Sequence, residues 1–234
     1  MAGPTPSGAA FFDVDETLIT VKSMFDFLGY WLALHGDDGT EHRAAVERVR
    51  ARAAAGVDRS EINRDYYRRF AGVPRRRLFD AGHAWYAEYR HREDAFIGAS
   101  LAAVADHRAQ GDTVVLVSGS FRGVLDPFAA EIGATRVLCS EPLADADGIL
   151  TGEILRPMIG PVKAQAVVET QAELGLSPAD CYAYGDHSSD LPMLRTVGRP
   201  RVVGEDPVLA GQAALHGWPM LSGAPGALAS AVRS

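Results

Sequence analysis

A short apolar run that ends in two acidic residues constrains this chain more than any other feature of its sequence. Residues 9–12 are two alanines followed by two phenylalanines, which is typical of a buried strand, and Asp13 and Asp15 come directly after them. A carboxylate at the end of a buried strand loses hydration, and two neighbouring carboxylates repel each other. The pair therefore predicts a site that uses a cation or handles an anion. The alternative is a strand that ends in a solvated turn, with Thr17 capping the next helix.

Between residues 20 and 92 the apolar residues recur at helical spacing, and no stretch has the pattern of a strand. The second predicted helix is rich in arginine, with alanine and valine at its apolar positions, so we expect it to be exposed. The predicted helices cover residues 24–34, 41–55, 60–70 and 74–92. We therefore predict a helical cap domain, residues 20–92, inserted after the first strand.

Strands and helices alternate in the rest of the chain. Predicted strands lie at residues 113–117, 136–139, 180–184 and 201–203, and predicted helices at residues 96–108, 121–132 and 163–174. Asp147-Gly148 marks the turn of a hairpin within residues 141–156. The alternation favours an α/β fold, a parallel sheet with helices on both faces, built from residues 1–19 and 93–234. Residues 1–8 contain two prolines and two glycines and are expected to form a loose tail.

The overall composition argues against several classes of function. The net charge of −7 disfavours general binding to nucleic acid or to an anionic membrane. No apolar run approaches the roughly 20 residues of a membrane span, and residues 1–8 lack a cationic flank followed by an apolar core. Cys139 and Cys181 lack metal-binding or redox spacing and suit a reducing compartment. We therefore expect a cytoplasmic protein without a nucleic-acid or membrane partner.

The two acids after the first strand have the chemistry for phosphoryl transfer. A carboxylate that attacks phosphorus forms an aspartyl-phosphate, and a second carboxylate nearby can protonate the leaving alcohol and later deprotonate water. We assign Asp13 as the nucleophile and Asp15 as the acid/base. In an extended segment their side chains point to opposite sides, so the chain must turn after Val14. The side chain of Thr17 is a candidate to hold that turn.

Two further positions suit a phosphate group. Ser118 and Gly119 follow a predicted strand and offer a hydroxyl and backbone amides near the start of a helix, where an anion is favoured. The alternative for Ser118 is an ordinary helix N-cap. Lys163 offers a fixed ammonium that can balance the charge of a phosphoryl group, although a lone helical lysine is commonly solvated.

The segment Gly185-Asp186-His187-Ser188-Ser189-Asp190 follows another predicted buried strand and carries two acids four residues apart. Such acids, together with Asp13, form an oxygen-rich site of the kind that Mg²⁺ prefers, without the histidines or thiolates of a zinc site. His187 lies inside this segment and either contacts substrate or is merely exposed. Ligands bind beyond the carboxyl ends of the strands in such sheets, and both acidic segments and Ser118 fall there.

The ordered set of these motifs resembles the haloacid dehalogenase-like superfamily of aspartate-nucleophile phosphatases, subfamily IB, the phosphoserine-phosphatase-like branch. The resemblance rests on residues 12–18, 117–120, 163 and 185–194. It implies a Rossmann-like core and a cap that closes over the leaving group. It also implies Mg²⁺ as the cofactor.

The resemblance carries over to single residues. It implies that Asp13 binds Mg²⁺ with its second oxygen, that Asp15 gives the metal its backbone carbonyl, and that Asp186 is a metal ligand. Asp190 is implied to orient metal-bound water and the lysine of the motif. Ser118 and Lys163 are implied to hold the phosphoryl oxygens, with Gly119 beside them.

The chain departs from the family pattern in three places. Phosphoserine phosphatases resemble one another in a glutamate that takes the substrate ammonium, and Lys22 stands at about that position here. A lysine repels an ammonium and attracts an acid or a second phosphate, so phosphoserine is disfavoured as the substrate. Ser189 replaces a usual asparagine, and Ser120 replaces a frequent glycine.

We therefore predict a Mg²⁺-dependent phosphomonoesterase that acts on a small-molecule phosphate. The alternatives are a phosphotransferase or mutase on the same fold, and a binding module without catalysis. The oligomeric state, monomer or homodimer, stays open. Leaving-group contacts are expected from the cap, whose candidate arginines are Arg43, Arg48, Arg50, Arg52, Arg64, Arg68, Arg69, Arg75, Arg76 and Arg77.

Overall fold

A parallel β-sheet forms the centre of the computed structural model, which describes residues 7–226. The strands are β1 (Ala9–Phe12), β2 (Phe96–Ile97), β3 (Thr113–Ser118), β4 (Arg136–Cys139), β5 (Pro142–Ala144), β6 (Leu150–Ile154), β7 (Cys181–Gly185), β8 (Arg199–Val203), β9 (Met220–Leu221) and β10 (Pro225–Gly226). Within the described residues the main sheet has six strands in the order β4-β3-β1-β7-β8-β9, all paired in parallel. The predicted α/β class with a parallel sheet is therefore confirmed.

The helices cover both faces of this sheet. They are α1 (Ser23–Ala33), α2 (Thr40–Ala54), α3 (Arg59–Arg68), α4 (Arg75–Tyr89), α5 (Gly98–Gln110), α6 (Arg122–Ile132), α7 (Pro161–Leu174), α8 (Leu191–Leu194) and α9 (Pro207–His216). No helix among residues 7–226 combines the length and the apolar character that crossing a membrane requires.

The central strand β1 divides the core in two, because alternate side chains of a strand point to opposite faces. Ala10 and Phe12 belong to one apolar cluster, and Ala9 and Phe11 belong to the other. All four residues are fully buried, so β1 is covered on both faces. The acids that follow β1 therefore start from a rigid strand at the middle of the sheet.

The helices α1 to α4, here called the insert helices, lie between β1 and β2 and pack on the sheet domain. Their aromatic side chains, including Phe27 and Trp85, join the same apolar cluster as Phe12 and Phe121. Helices α4 and α6 come very close, since a Cβ added at Gly82 would lie 2.5 Å from the backbone carbon of Gly123. The four helices confirm the predicted secondary structure of this segment, while the boundaries of a separate domain, residues 20–92, stay a prediction.

Three local expectations are corrected. Phe96 and Ile97 do not begin the helix but pair with β10 as a short antiparallel strand. The local sequence pattern does not indicate this pairing, because the partner strand lies far away in the sequence. Strand β8 is followed by β9, so it is not the last strand. The hydroxyl of Thr17 does not hold the turn after β1 but donates to Asp186 Oδ1 at 2.9 Å. The expected loose tail at residues 1–8 lies mostly outside the described residues.

Candidate active site

Three carboxylates meet beyond the carboxyl ends of β1 and β7. Asp13 directly follows β1, and its backbone N–H donates to the carbonyl of Tyr184 in β7 at 2.9 Å. Asp186 follows β7, and Asp190 ends the short 3-10 turn that comes next. One carboxylate oxygen from each of the three residues lies within 4.8 Å of the others. The sheet thus brings together acids that the sequence separates widely.

Lys163, in the first turn of α7, reaches into the middle of this acidic cluster. Its Nζ lies 2.6 Å from Asp13 Oδ1 and 2.8 Å from Asp190 Oδ1. Its side chain is 5% exposed, so the lysine is not a solvated surface residue. The contacts fix one oxygen of Asp13 and one of Asp190.

The charges of the cluster are not balanced by the protein alone. Burial, and next the charge of Asp190, raise the pKa of Asp13 well above its usual value, although Lys163 opposes this. Burial and Asp190 raise the pKa of Asp186 to about 6. Burial lowers the pKa of Lys163, but its two carboxylate partners more than offset that effect, and the net pKa lies above normal. One ammonium faces three carboxylates, and a divalent cation would cancel the remaining negative charge.

The donor set of this cluster fits a hard divalent cation. The carboxylates of Asp13, Asp186 and Asp190 all supply oxygen atoms, and oxygen is what Mg²⁺ prefers, usually with few carboxylates and several waters. Asp186 is held in place by the hydroxyl of Thr17. The residues present therefore match the predicted cofactor in charge and in ligand type.

Asp15 lies on the turn that follows β1. The carbonyl of Val14 accepts hydrogen bonds from the N–H groups of Leu18 and Ile19 at 2.8 and 3.1 Å, and the intervening Glu16 adopts a left-handed conformation with a φ of 60°. Asp15 Oδ1 is buried and has no hydrogen-bond partner among residues 7–226. Burial raises the pKa of Asp15, and neighbouring Ser23 opposes the rise. A raised pKa favours the protonated form of the carboxyl group, and this direction suits the role of a general acid.

Ser118 and Gly119 lie at the end of β3, the strand next to β1. Ser118 is buried, and its Oγ accepts a hydrogen bond from the N–H of Ser120 at 3.1 Å. Ser118 is not an N-cap, because Phe121 occupies that position before α6 and no side chain caps it. Because β3 and β1 run in parallel, the hydroxyl of Ser118 lies on the same edge of the sheet as the acidic cluster.

The carbonyl of Gly119 is held by two residues of α3 that our sequence reasoning missed. Asn63 Nδ2 donates to it at 2.9 Å and the hydroxyl of Tyr67 at 3.0 Å. Asn63 Oδ1 also accepts from the hydroxyl of Ser140 at 3.0 Å. Asn63 and Tyr67 are four residues apart and so share one helix face. The sequence held one indication of this role, because Asn63 is an uncharged amide within a helix that is rich in arginine and acidic residues.

Lys22 directly precedes α1, and His187 lies between Asp186 and Asp190 in the loop after β7. Lys22 Nζ forms an ion pair with Glu16 Oε2 at 2.9 Å, and both side chains are partly exposed. The ring of His187 is half-buried and lies 3.0 Å from Nη1 of Arg59, the first residue of α3. Burial, and then the charges of Arg59 and Lys22, lower the pKa of His187. Arg59 was absent from the arginines that we selected from the sequence.

Several of the selected arginines contact acids on the surface instead. Arg52 pairs with Glu61 and Asp65, and Arg76 pairs with Asp80. These contacts lie on the insert helices and involve partly or fully exposed groups. Arg59, by contrast, contacts His187 in the loop that carries Asp186 and Asp190.

A family model of haloacid dehalogenase-like hydrolases matches residues 10–195. An "inhibition of morphological differentiation protein" from Streptomyces azureus is 32% identical over 92% of this chain and 78% of its own. A probable phosphatase from Mycobacterium tuberculosis is 32% identical over 94% and 76% of the two chains. A histidinol-phosphatase from Neisseria meningitidis is 26% identical over 91% and 97%.

Solved structures agree with the fold. A protein of unknown function from Bordetella pertussis superposes with a TM-score of 0.78 at 26% identity, over 91% of this chain and 97% of its own. A phospho-aspartyl intermediate analogue of phosphoserine phosphatase gives a TM-score of 0.66 at 16% identity, over 93% and 94%, which shows the fold alone. The family match and the phosphatase names of the relatives confirm the predicted class of enzyme. The chain belongs to the haloacid dehalogenase-like hydrolase family.

Proposed function

We propose that this protein is a Mg²⁺-dependent phosphomonoesterase that hydrolyses a small-molecule phosphate through an aspartyl-phosphate at Asp13. The observation that carries the proposal is the buried contact of Lys163 with both Asp13 and Asp190, with Asp186 beside them. Phosphoryl transfer requires a positioned nucleophile and fixed positive charge near the phosphoryl oxygens. Relatives named as phosphatases support the same reaction class.

We assign the metal ligands within the acidic cluster. Asp13 and Asp186 would bind Mg²⁺ through carboxylate oxygens, and Asp15 through its backbone carbonyl. Asp190, which contacts Lys163, would orient the ligands around the ion. When bound, Mg²⁺ supplies positive charge that neutralises the carboxylates and the phosphoryl group.

In the first step a carboxylate oxygen of Asp13 attacks phosphorus, a new P–O bond forms, and the bond between phosphorus and the ester oxygen breaks. Asp15 donates its proton to the departing oxygen, which becomes an alcohol. In the second step water attacks phosphorus, Asp15 accepts the proton of that water, and the bond from phosphorus to Asp13 breaks. Inorganic phosphate leaves and both aspartates return to their starting state.

Ser118, the amide of Gly119 and Lys163 are proposed to bind the phosphoryl oxygens. The carbonyl of Gly119 and the N–H of Ser120 belong to one peptide group, so the contacts from α3 to that carbonyl also orient the N–H that donates to Ser118 Oγ. This arrangement supports a positioning role for α3 in the phosphate site.

The insert helices are proposed to act as a cap, residues 20–92, that closes over the leaving group and excludes water during attack. The support is the direct contact of α3 with the Gly119 carbonyl and of Arg59 with His187. We further propose that the protein is cytoplasmic, supported by two cysteines, Cys139 and Cys181, that are buried and free.

The proposal is tested with p-nitrophenyl phosphate. The wild type should release phosphate in the presence of Mg²⁺ and lose that activity with EDTA. Asp13→Asn should abolish phosphate release, whereas the exposed control Asp147→Asn should leave it unchanged. Undiminished turnover by Asp13→Asn would refute the assignment of the nucleophile.

Two other outcomes separate the remaining functions. Transfer of the phosphoryl group to an added alcohol in preference to water would identify a phosphotransferase or mutase. Binding of Mg²⁺ with no phosphate release from a broad panel of esters would favour a binding module. We expect water to be the acceptor.

A further inference from the structure

We propose that the insert helices contain a second binding site, and that this site takes a small amphipathic carboxylate with an apolar tail. The site is a cavity of about 220 Å³ between α1, α2 and α3, here called the insert cavity. The proposal concerns binding alone, so it does not depend on the proposed phosphatase reaction.

Part of the lining of the insert cavity is apolar. Leu28 of α1 and Ala45 of α2 are buried, and Val49 of α2 and Ile62 of α3 are half-buried. An apolar tail gains free energy when it leaves water for such surroundings. The volume equals that of roughly seven water molecules, which suits a tail of about six to eight carbon atoms.

Helix α2 is tied down at its two ends and stands over the cavity between them. Near its start, His42 Nε2 donates to the carbonyl of Phe25 in α1 at 2.9 Å. Near its end, Arg52 pairs with Asp65 of α3 at 2.8 Å. Of the 15 residues of α2, all within the described part of the chain, Ala45 alone is buried. An apolar tail in the insert cavity would supply the close packing that the middle of α2 lacks.

The rest of the lining is positively charged. Arg48, Arg52 and Arg69 stand against a single acid, Asp65, so these four lining residues carry a net charge of +2. Within residues 7–226, neither Arg48 nor Arg69 forms an ion pair with a carboxylate. Arg52 Nε is buried and has no hydrogen-bond partner among the same residues. Buried donors are nearly always paired, so this N–H is suited to an acceptor that a ligand supplies.

These charges select an anionic head group. A guanidinium offers a planar fork of donors that matches the two oxygens of a carboxylate. The chain as a whole carries a net charge of −7, so a local excess of positive charge attracts an anion that the rest of the surface repels. A ligand with an ammonium head would meet like charges at Arg48 and Arg69.

The insert cavity is separate from the acidic cluster, since no residue of that cluster lines it. On α3, Asn63 contacts the carbonyl of Gly119, whereas Ile62, Asp65 and Arg69 line the cavity. With 3.6 residues per turn, these three residues lie about 100° to 160° around the helix from Asn63. A ligand in the cavity would therefore contact α3 on a different face from the one that contacts the phosphate site.

The experiment titrates four probes into the wild-type protein with Mg²⁺ by calorimetry. They are octanoate, hexanoate, octan-1-ol and octylamine. We expect octanoate to bind about tenfold more tightly than octan-1-ol, because the alcohol lacks the charge, and octylamine to bind most weakly. Hexanoate should bind about tenfold more weakly than octanoate, since it lacks two CH₂ groups. Saturating inorganic phosphate should not displace octanoate.

Variants of the lining test the two parts of the site. Arg48→Gln combined with Arg69→Gln should weaken octanoate by about threefold to tenfold and leave octan-1-ol unchanged. Ala45→Phe should abolish binding of both by filling the cavity. Val49→Phe fills it from a half-buried position, so it keeps the test available if Ala45→Phe does not fold. The control Arg50→Gln removes an exposed arginine of α2 that does not line the cavity, and it should change nothing.

Three results would overturn the proposal. The first is equal affinity for octanoate, octan-1-ol and octylamine. The second is octanoate binding that survives the cavity-filling substitution. The third is displacement of octanoate by inorganic phosphate, which would place the carboxylate at the acidic cluster. None of these results bears on phosphate release from p-nitrophenyl phosphate, so the proposed function is tested independently.

Discussion

Replacing Lys163 by methionine tests whether the buried ammonium holds the acidic cluster together. Methionine keeps much of the length of the side chain but removes the charge and both contacts, to Asp13 at 2.6 Å and to Asp190 at 2.8 Å. Removing one partner of a buried ion pair costs about 3–5 kcal/mol, because the other charge stays buried without compensation. We therefore expect Lys163→Met to lower the free energy of unfolding by about that amount at pH 7 in EDTA.

The effect of this substitution should depend on pH in a definite direction. A carboxyl group whose folded-state pKa is raised favours folding at low pH, and that contribution is lost as the pH rises through the folded-state pKa. The pKa of Asp13 is already raised in the wild type, mainly by burial, and loss of Lys163 removes the charge that opposes the rise. The destabilisation should therefore be smaller at pH 5 than at pH 7.

Urea unfolding measures both quantities directly. The matched control is Arg156→Met, which removes a cation from a surface pair with Glu169 at 2.9 Å and should cost at most about 1 kcal/mol. Added Mg²⁺ should recover part of the stability of Lys163→Met, since a cation again compensates the acids. A loss no larger than that of the control, or a larger loss at pH 5 than at pH 7, would refute the reasoning.

Three further outcomes are expected. Because the pKa of Asp186 in the folded protein is raised to about 6, metal-free wild-type protein should lose stability as the pH rises from about 4 through 6. The increase in melting temperature that Mg²⁺ causes, measured by calorimetry, should grow over the same pH range. An increase that does not depend on pH would contradict this. Asn63→Ala should lower kcat/KM for p-nitrophenyl phosphate by about tenfold or more, and Tyr67→Phe should lower it less, because the side-chain amide of Asn63 also binds Ser140. Equal effects of the two substitutions would argue against the assigned contacts. Gly82→Ala should lower the unfolding free energy by about 1–3 kcal/mol because its Cβ would meet backbone at 2.5 Å, whereas Gly211→Ala, with open space around it, should not.

The sequence was sufficient for the scaffold of the site because its signals there are local. An apolar run followed by an acid identifies a strand end, and both Asp13 and Asp186 follow strands of the parallel sheet at the same edge. Parallel pairing of neighbouring strands then brings their carboxyl ends together. For this reason the acidic cluster could be predicted although its members are far apart along the chain.

Lys163 shows where local patterns stop being informative. A lysine in the first turn of a helix has the same sequence pattern whether it is solvated or buried, and its contact with Asp13 depends on how α7 packs against the sheet. The hydroxyl of Thr17 is a similar case, since it bonds a residue of the loop after β7 and not its own turn.

The contacts between the insert helices and the sheet domain were beyond sequence reasoning for a related physical reason. Asn63, Tyr67 and Arg59 touch the loops of the site because α3 docks against them, and no periodicity reports how two packed segments are oriented. Arg59 could not be distinguished from the many exposed arginines of the insert helices, because all of them have similar neighbours in the sequence.

Trapping the covalent intermediate tests the central claim most directly. The protein is mixed with p-nitrophenyl phosphate and Mg²⁺, quenched in acid during turnover, digested, and its peptides are analysed by mass spectrometry. The structure, with Asp13 at the centre of the acidic cluster and in contact with Lys163, predicts one added phosphoryl group on Asp13. A phosphoryl group on another residue, or turnover with no phosphorylated peptide at any quench time, would contradict the account.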